Sequence, residues 1–182
     1  MTNPKLKVKI VGDEVFGLQK RERIRKFDDA TIFALAVMMG DLRAEQERHS
    51  SIDSKSFCIG CILPPEDVKR YVLLKDGVRY LVILVETRKN KEIPRGCFVV
   101  SSQGKCSFEI SEFYIQEGYR RKGFGKMMFN AFLRRFKKDL GCSSAQLSLS
   151  VALNNTAAEE FYLHLGFAEV AKVMEMKIKK RR

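Results

Sequence analysis

The segment that most constrains this chain runs from Phe113 to Lys126: Phe-Tyr-Ile-Gln-Glu-Gly-Tyr-Arg-Arg-Lys-Gly-Phe-Gly-Lys. An apolar strand end passes into a turn dense in glycine and cations. That turn opens directly onto Met127, Met128, Ala131, Phe132 and Phe136, which are apolar at helical spacing. The first amides of a helix have no intrahelical acceptor and carry partial positive charge, so a helix entered in this way receives phosphate. Gly123 and Gly125 let the backbone approach an anion with no Cβ in the way. Arg120, Arg121, Lys122 and Lys126 add full charges to the same place. Two better-known phosphate patterns come close and fail. Gly118 and Gly123 have the P-loop spacing, but Phe-Gly follows where Lys-Ser/Thr is required. Gly123-Phe-Gly125 lacks the third glycine of a dinucleotide fingerprint and follows the third strand of a run, not the first.

Around this segment the sequence reads as one layered α/β domain. Leu6 to Val11 alternates and predicts an edge strand or ordered arm, so residues 1–20 are set apart from a domain over 21–182. Glu22–Phe27 reads as a short strand. Asp28 and Asp29 then suit the start of a helix running towards His49. Pro64-Pro65-Glu66-Asp67 suits another helix, ending near Gly77. Arg79–Thr87 is nearly continuously apolar, as in a strand covered on both faces. Strands are expected at Cys97–Ser101 and Cys106–Ile115, then a helix over Lys122–Leu140 with Gly141 as its C-cap. A strand at Gln146–Ala152, a helix at Asn155–Leu165 and a strand at Phe167–Ile178 complete a mixed sheet with helices packed on it.

Charge and cysteine content narrow the function classes. The formal net charge of +12 is concentrated in a few blocks, and residues 120–139 hold eight cations against one acid. A positive face of this kind attracts polyanions. The longest apolar stretch, Ile32–Met39, is far too short to span a bilayer. The first residues carry no apolar signal region, so a cytoplasmic protein is expected. Five cysteines, an odd number, suit free thiols in a reducing compartment better than a disulfide framework. Cys58 and Cys61 have CxxC spacing but no second ligand pair, and His49 and His164 stand alone, so no metal site is expected.

Arg120-Arg-Lys-Gly-Phe-Gly125 resembles the Arg/Gln-x-x-Gly-x-Gly/Ala signature of the GNAT superfamily of acyl-CoA-dependent N-acyltransferases, with Phe113-Tyr-Ile115 where that family ends its fourth strand. Asn155-Thr-Ala-Ala158 through Tyr162 to Gly166-Phe167 resembles the family's Asn-x-x-Ala-x-x-x-Tyr-x-x-x-Gly-Phe element. The resemblance implies a mixed, mostly antiparallel sheet whose fourth and fifth strands splay around acyl-CoA. It implies coenzyme contacts at Ile115, Arg120, Arg121, Lys122, Gly123, Phe124, Gly125 and Lys126, with Asn155 helping to hold the pantetheine. Asn155 equally suits the N-cap of its helix.

Acetyl transfer from acetyl-CoA to a primary amine needs a base, because an alkylammonium has a pKa near 10.4 in water, and a donor for the developing oxyanion. By the resemblance, Glu109 matches the position of a catalytic Glu or His, the Ile115 N–H supplies the oxyanion donor, and Tyr162 is the general acid for the departing sulfur. Glu109 and Ser111 are expected on one face and Glu112 on the other, by strand alternation. Glu109, Glu112 and a water chain remain open as the base. The expected activity is direct attack in a ternary complex on the amine of a peptide, protein or small metabolite. Aminoglycosides and polyamines would be repelled by the positive charge. An acceptor carried by RNA (aminoacyl-tRNA or a ribosomal protein) and a non-catalytic acyl-CoA-binding module are the alternatives. A monomer or homodimer is expected, with no membrane partner.

Overall fold

The structure, a computed structural model, describes residues 5–12, 26–49 and 77–171. The elements are β1 (Lys5–Val11), α1 (Asp29–His49), β2 (Val78–Arg88), β3 (Lys91–Ser102), β4 (Ser107–Ile115), a 3-10 turn (Glu117–Tyr119), α2 (Phe124–Asp139), β5 (Gln146–Leu149) and α3 (Thr156–His164). The sheet order is β1-β2-β3-β4-β5, antiparallel throughout except for the β4–β5 pair, which is parallel and joined through α2.

β2 is covered on both faces, as its unbroken apolar run requires. Leu81, Ile83 and Val85 pack with Ile32, Leu35, Met38 and Met39 of α1. Tyr80, Val82 and Leu84 pack on the opposite face with Met128, Phe129, Phe132 and Phe136 of α2. Each such side chain contributes about 1.5–3 kcal/mol on burial, so these two layers are the chief stabilising contribution. α1 starts where the paired aspartates predict, with Asp28 Oδ1 accepting the Thr31 N–H at 2.6 Å.

β3 begins at Lys91, six residues before the expected Cys97. Lys89 (φ 46°) and Asn90 (φ 62°) form a two-residue turn with both residues left-handed, the geometry that continues strand twist into a hairpin. Pro94 argues against a strand, yet the register shift beside it leaves Arg95 as an extra residue, and a bulge is where a strand tolerates proline.

Other expectations need correction. α2 closes on an extended Leu140 (φ −70°, ψ 114°), and Gly141 supplies no left-handed cap. β5 stops at Leu149, three residues short. Residues 167–171 are not strand, because Phe167 completes the end of α3 instead. Its N–H reaches the Tyr162 carbonyl at 3.1 Å and that of Gly166 (φ 94°) reaches Leu163 at 3.0 Å, a Schellman closure. Lys26 and Phe27 are turn and bend, not strand. The rest of the 22–27 strand, the helix from Pro64, the Cys58–Cys61 pair and residues 172–182 lie outside the described residues.

The cysteines are not all free thiols. Cys106 and Cys142 form a disulfide with their Cα atoms 6.6 Å apart. The parallel pairing is the reason: it sets the residue before β4 beside the turn leading into β5, where the Gln146 N–H bonds the Cys106 carbonyl at 2.9 Å. Cys97 is a free, buried thiol whose pKa is pushed up to about 12 by burial and then by the Glu112 charge.

Candidate active site

β4 and β5 pair only from Ser107↔Gln146 to Ile110↔Leu149. Beyond Ile110, β4 continues to Ile115 with no β5 partner, so a wedge opens between the strands and leads to the N-terminus of α2. On its other edge β4 stays paired to β3, and Gln116 donates its N–H to the Arg95 carbonyl at 2.9 Å. Peptide groups alternate edges along a strand, so the Ile115 N–H and C=O face the wedge. The carbonyl is taken there by Arg120 Nε at 2.7 Å, which removes half of the free peptide group expected at Ile115.

The turn between β4 and α2 forms an open cradle at the helix N-terminus. Arg121 (φ 57°) and Gly123 (φ 78°) are both left-handed. Gly123 is the N-cap of α2 and has no side chain to satisfy the first turn, whose earliest helical bond is Met127 N–H to Gly123 O at 3.0 Å. The amides of Phe124, Gly125 and Lys126 therefore open the helix without a side-chain cap. Arg121, Lys122 and Lys126 are exposed beside them, and Lys122 Nζ reaches the Gly118 carbonyl at 2.7 Å. Phe124 is half-buried against the Tyr119 ring. Gly125 is needed for a different reason: a Cβ there would lie 2.9 Å from Phe161 Cζ and 3.4 Å from Ile115 Cδ1. The glycine lets α3 close over the first turn of α2.

Two consecutive residues fasten this loop to opposite faces of the sheet. Tyr119 donates its hydroxyl to Glu86 Oε2 at 2.8 Å. Glu86 is fully buried and also accepts Arg88 Nε (2.7 Å) and Arg95 Nε (2.9 Å). Burial raises its pKa, but the hydrogen bonds from Arg88, Tyr119 and Arg95 outweigh that and hold it below the ordinary carboxylate value. Arg120, the next residue, makes a bidentate pair with Glu45 of α1 at 2.7 and 2.8 Å. Its guanidinium lies 5.3 Å from the Tyr114 ring centroid, and the Tyr114 hydroxyl bonds Asp41, one turn before Glu45, at 2.9 Å. The Arg120 guanidinium thus bonds both Glu45 and the Ile115 carbonyl. Glu45, Glu86, Arg95 and Tyr119 were not singled out in the sequence, and no local signal marks them.

A bulge changes the geometry of the acids. Val99 pairs with Glu112 and Val100 with Ile110, so Ser111 is the extra residue. Residues paired across strands share a face. Glu109 opposes Ser101 and Glu112 opposes Val99, and on β3 these two positions are of one parity with Cys97, on the α1 side. Glu112 therefore shares a face with Glu109 instead of pointing away. Glu109 is half-buried and hydrogen-bonded to Gln103 Nε2. Facing it, Ser101 Oγ is buried with no partner among the described residues.

Tyr162 packs its ring against Phe113 (6.1 Å), Phe161 (5.2 Å) and Phe167 (5.7 Å). Burial raises its pKa well above 10, and among the described residues its hydroxyl has no hydrogen-bond partner. Asn155 caps α3, its Oδ1 accepting the Ala158 N–H at 3.1 Å. His164 Nδ1 lies 2.7 Å from the Glu160 carbonyl at the exposed end of α3. Among the described residues no group of three or more His, Cys, Asp or Glu could hold a metal ion, and no helix is long and apolar enough to cross a membrane.

Solved structures of similar fold include an aminoglycoside N-acetyltransferase in complex with CoA, 12% identical, with TM-score 0.57 over 98% of this chain and 97% of that one. An aminoglycoside acetyltransferase from an uncultured soil metagenomic sample, in complex with sisomicin, is 12% identical with TM-score 0.57 over 97% of each chain. A ribosomal-protein-alanine N-acetyltransferase from Brucella melitensis biovar Abortus 2308 is 10% identical with TM-score 0.53 over 97% of this chain and 100% of that one. At such identities these likenesses speak to the fold. No curated protein matches the sequence. The model of the acetyltransferase (GNAT) family matches residues 49–167, well over half of the chain. Signature loop, splayed sheet and family match agree: the chain belongs to the GNAT family of acetyltransferases.

Proposed function

We propose that this protein is an acetyl-CoA-dependent N-acetyltransferase that acts on a primary amine of a peptide, protein or small metabolite by direct attack in a ternary complex. The observation that carries the proposal is the wedge between β4 and β5 running into an uncapped, glycine-fronted helix N-terminus. An extended arm with a diphosphate at one end suits that shape. The fit is supported by Gly123, whose left-handed backbone faces open space, and by the exposed cations Arg121, Lys122 and Lys126.

Acetyl-CoA, when bound, supplies an acyl thioester activated for attack by an amine. The amides of residues 121–126 hold the diphosphate with the charges of Arg121, Lys122 and Lys126, while Arg120 shapes the loop from behind. The Ile115 N–H is the oxyanion donor. Asn155 fixes the start of α3, so that Tyr162 is carried over the wedge by its helix. The Tyr162 hydroxyl, kept protonated by its apolar surroundings, delivers a proton to the leaving sulfur. Glu109 draws the proton from the acceptor amine directly or through one water, with Glu112 on the same face as the competing base. Much of the rate comes from holding two substrates together. The net charge of +12 disfavours aminoglycosides and polyamines as acceptors.

Purified protein mixed with acetyl-CoA and a panel of peptide and metabolite amines should release free thiol in step with amine consumption. Calorimetry should show acetyl-CoA binding that weakens when Arg121, Lys122 and Lys126 are changed to Ala. No heat with acetyl-CoA, together with no thiol release on any amine, overturns the proposal.

One observation favours a polyanionic carrier for the acceptor: α2 presents Lys126, Arg134, Lys137 and Lys138 on its exposed side. Salt-sensitive RNA binding in a filter assay would support that narrower reading, and its absence would remove it.

A further inference from the structure

The Cys106–Cys142 disulfide opens onto a cavity of about 240 Å³ remote from the coenzyme wedge, walled by Tyr80, Phe108 and Phe136, flanked by the cations Arg79 and Lys105, and lined on the Tyr80 side by the Asp139 carboxylate. We propose that this disulfide is a reversible thiol-exchange site, and that the cavity admits a low-molecular-weight thiol carrying carboxylates.

Three features carry the inference. Both half-cystines are half-exposed, in contrast to the fully buried Cys97. A small thiol has room to approach. Arg79 and Lys105 outnumber the one lining acid, Asp139, whose carboxylate is itself paired with Arg135, so an anionic thiol is favoured over a neutral one. A nearby cation also stabilises the thiolate that must leave. Finally, the bond closes a loop, 36 residues in sequence separation, that contains β4, the phosphate cradle and all of α2. It sits at the foot of the four-residue β4–β5 ladder, below the point where the strands part.

The chemistry balances without any other oxidant. A thiolate attacks one sulfur, the S–S electron pair departs with the other as a cysteine thiolate, and a mixed disulfide remains. A second thiol releases the mixed disulfide, so two thiols become one small disulfide while the protein gains two thiols. Closure is the reverse, driven by the small disulfide. In a reducing compartment such a bond is transient and sensing in character, not a permanent staple.

Glutathione is the anionic probe and 2-mercaptoethanol the neutral one, with rates normalised to thiolate concentration. Peptide mapping after alkylation should recover the Cys106–Cys142 cross-link from protein equilibrated with oxidised glutathione, and two alkylated cysteines after reduced glutathione. Opening should lower Tm by roughly 5–15 °C, as expected for a loop of this length in a chain of this size. Cys142→Ser should show the lower Tm in either buffer. The normalised rate ratio of glutathione to 2-mercaptoethanol should fall about threefold or more in Lys105→Gln and at high salt. The proposal is overturned if no cross-link forms under oxidised glutathione, or if the rate ratio is unchanged by Lys105→Gln and by salt. These readouts are independent of acetyl transfer, so their failure leaves the proposed activity untouched.

Discussion

The hydroxyl of Tyr119 donates a 2.8 Å hydrogen bond to Glu86, a carboxylate with no exposed surface. Since Arg120 is paired with Glu45 on the other side of the sheet, the loop between β4 and α2 is held from both faces. Under the proposed function, a loop already in its binding conformation has less ordering entropy to lose, so the staple serves affinity more than chemistry.

Tyr119→Phe tests this directly. Glu86 keeps Arg88 and Arg95, so stability should fall by only about 1 kcal/mol, the usual net worth of one hydrogen bond. The acetyl-CoA KM should rise about threefold to tenfold with kcat nearly unchanged. A loss of kcat at constant KM would place Tyr119 in the chemistry and contradict the positioning role. Thermal unfolding and steady-state kinetics on the same preparation make the comparison.

The Glu86 cluster also predicts an acid limb of stability. Its folded pKa lies below the unfolded value near 4.3, so its stabilisation is fully present above that value and is lost as pH falls through the lower, folded pKa. Denaturant titrations from pH 7 down to pH 3 should therefore show a loss of stability in the wild type, concentrated below about pH 4.5. Glu86→Gln should be less stable at neutral pH and show a shallower acid dependence. Parallel curves for the two proteins would refute the assignment.

Arg120 and Glu45 should behave as one unit. Arg120→Ala and Glu45→Gln are each expected to raise the acetyl-CoA KM, and the double variant should be no worse than the more severe single one. Neighbours in one network are non-additive, whereas independent contributions add within about 0.3–0.5 kcal/mol. Arg121→Ala, by contrast, should weaken binding through lost charge alone, an effect that shrinks as salt rises. An additive Arg120–Glu45 pair would return Arg120 to a direct role on the diphosphate.

The strand–turn–helix segment, the doubly covered β2 and the Asp28 cap are all legible in the sequence, because each is written in residues within one helical turn or one strand of each other. Glu45 and Arg120 are 75 positions apart, and Glu86 and Tyr119 are 33 apart. Nothing local distinguishes those acids from solvated ones. The early start of β3 is not legible for a definite reason: Pro94 breaks an ordinary ladder, and only the bulge at Arg95 makes room for it. The pairing of Cys106 with Cys142 depends on two strands meeting in parallel, which no spacing between the cysteines encodes. Asn155, in contrast, reveals itself through cap chemistry at the start of α3.

Glycine substitutions separate close packing from backbone conformation. Gly125→Ala should be destabilising, since its Cβ would lie 2.9 Å from a Phe161 ring carbon and the ring must shift to make room. Paring the ring back with Phe161→Leu should restore part of the loss. Gly118→Ala meets nothing within 4 Å and needs no left-handed backbone, so it should be near neutral. Gly123→Ala also meets nothing, but its φ of 78° makes a modest cost of about 1 kcal/mol the expectation. Equal melting temperatures for the Gly125 and Gly118 variants would mean that α3 does not close on α2 as described.

The bulge at Ser111 makes the choice of base testable. Without it, alternation would send Glu112 to the α2 face, and Glu109 would be the only acid of β4 on the α1 face. With it, both carboxylates project from the same face, three residues apart, Glu109 towards the Gln103 turn and Glu112 nearer the wedge. If Glu109 is the base, Glu109→Gln should lower kcat about 10²–10⁴-fold, the usual worth of general base catalysis, and Glu112→Gln should be mild. The opposite ranking would transfer the role to Glu112. Deleting Ser111 discriminates further, because it joins Ile110 directly to Glu112 and keeps the Val100↔Ile110 and Val99↔Glu112 pairs. Glu109, Glu112 and Phe113-Tyr-Ile115 then stay on their faces, and only the local kink of the bulge is lost. If the face of the carboxylates is what the chemistry needs, the deletion variant should stay folded by circular dichroism and remain active. A large loss of kcat in a folded deletion variant would show that the kink beside the wedge, not the face alone, positions the base.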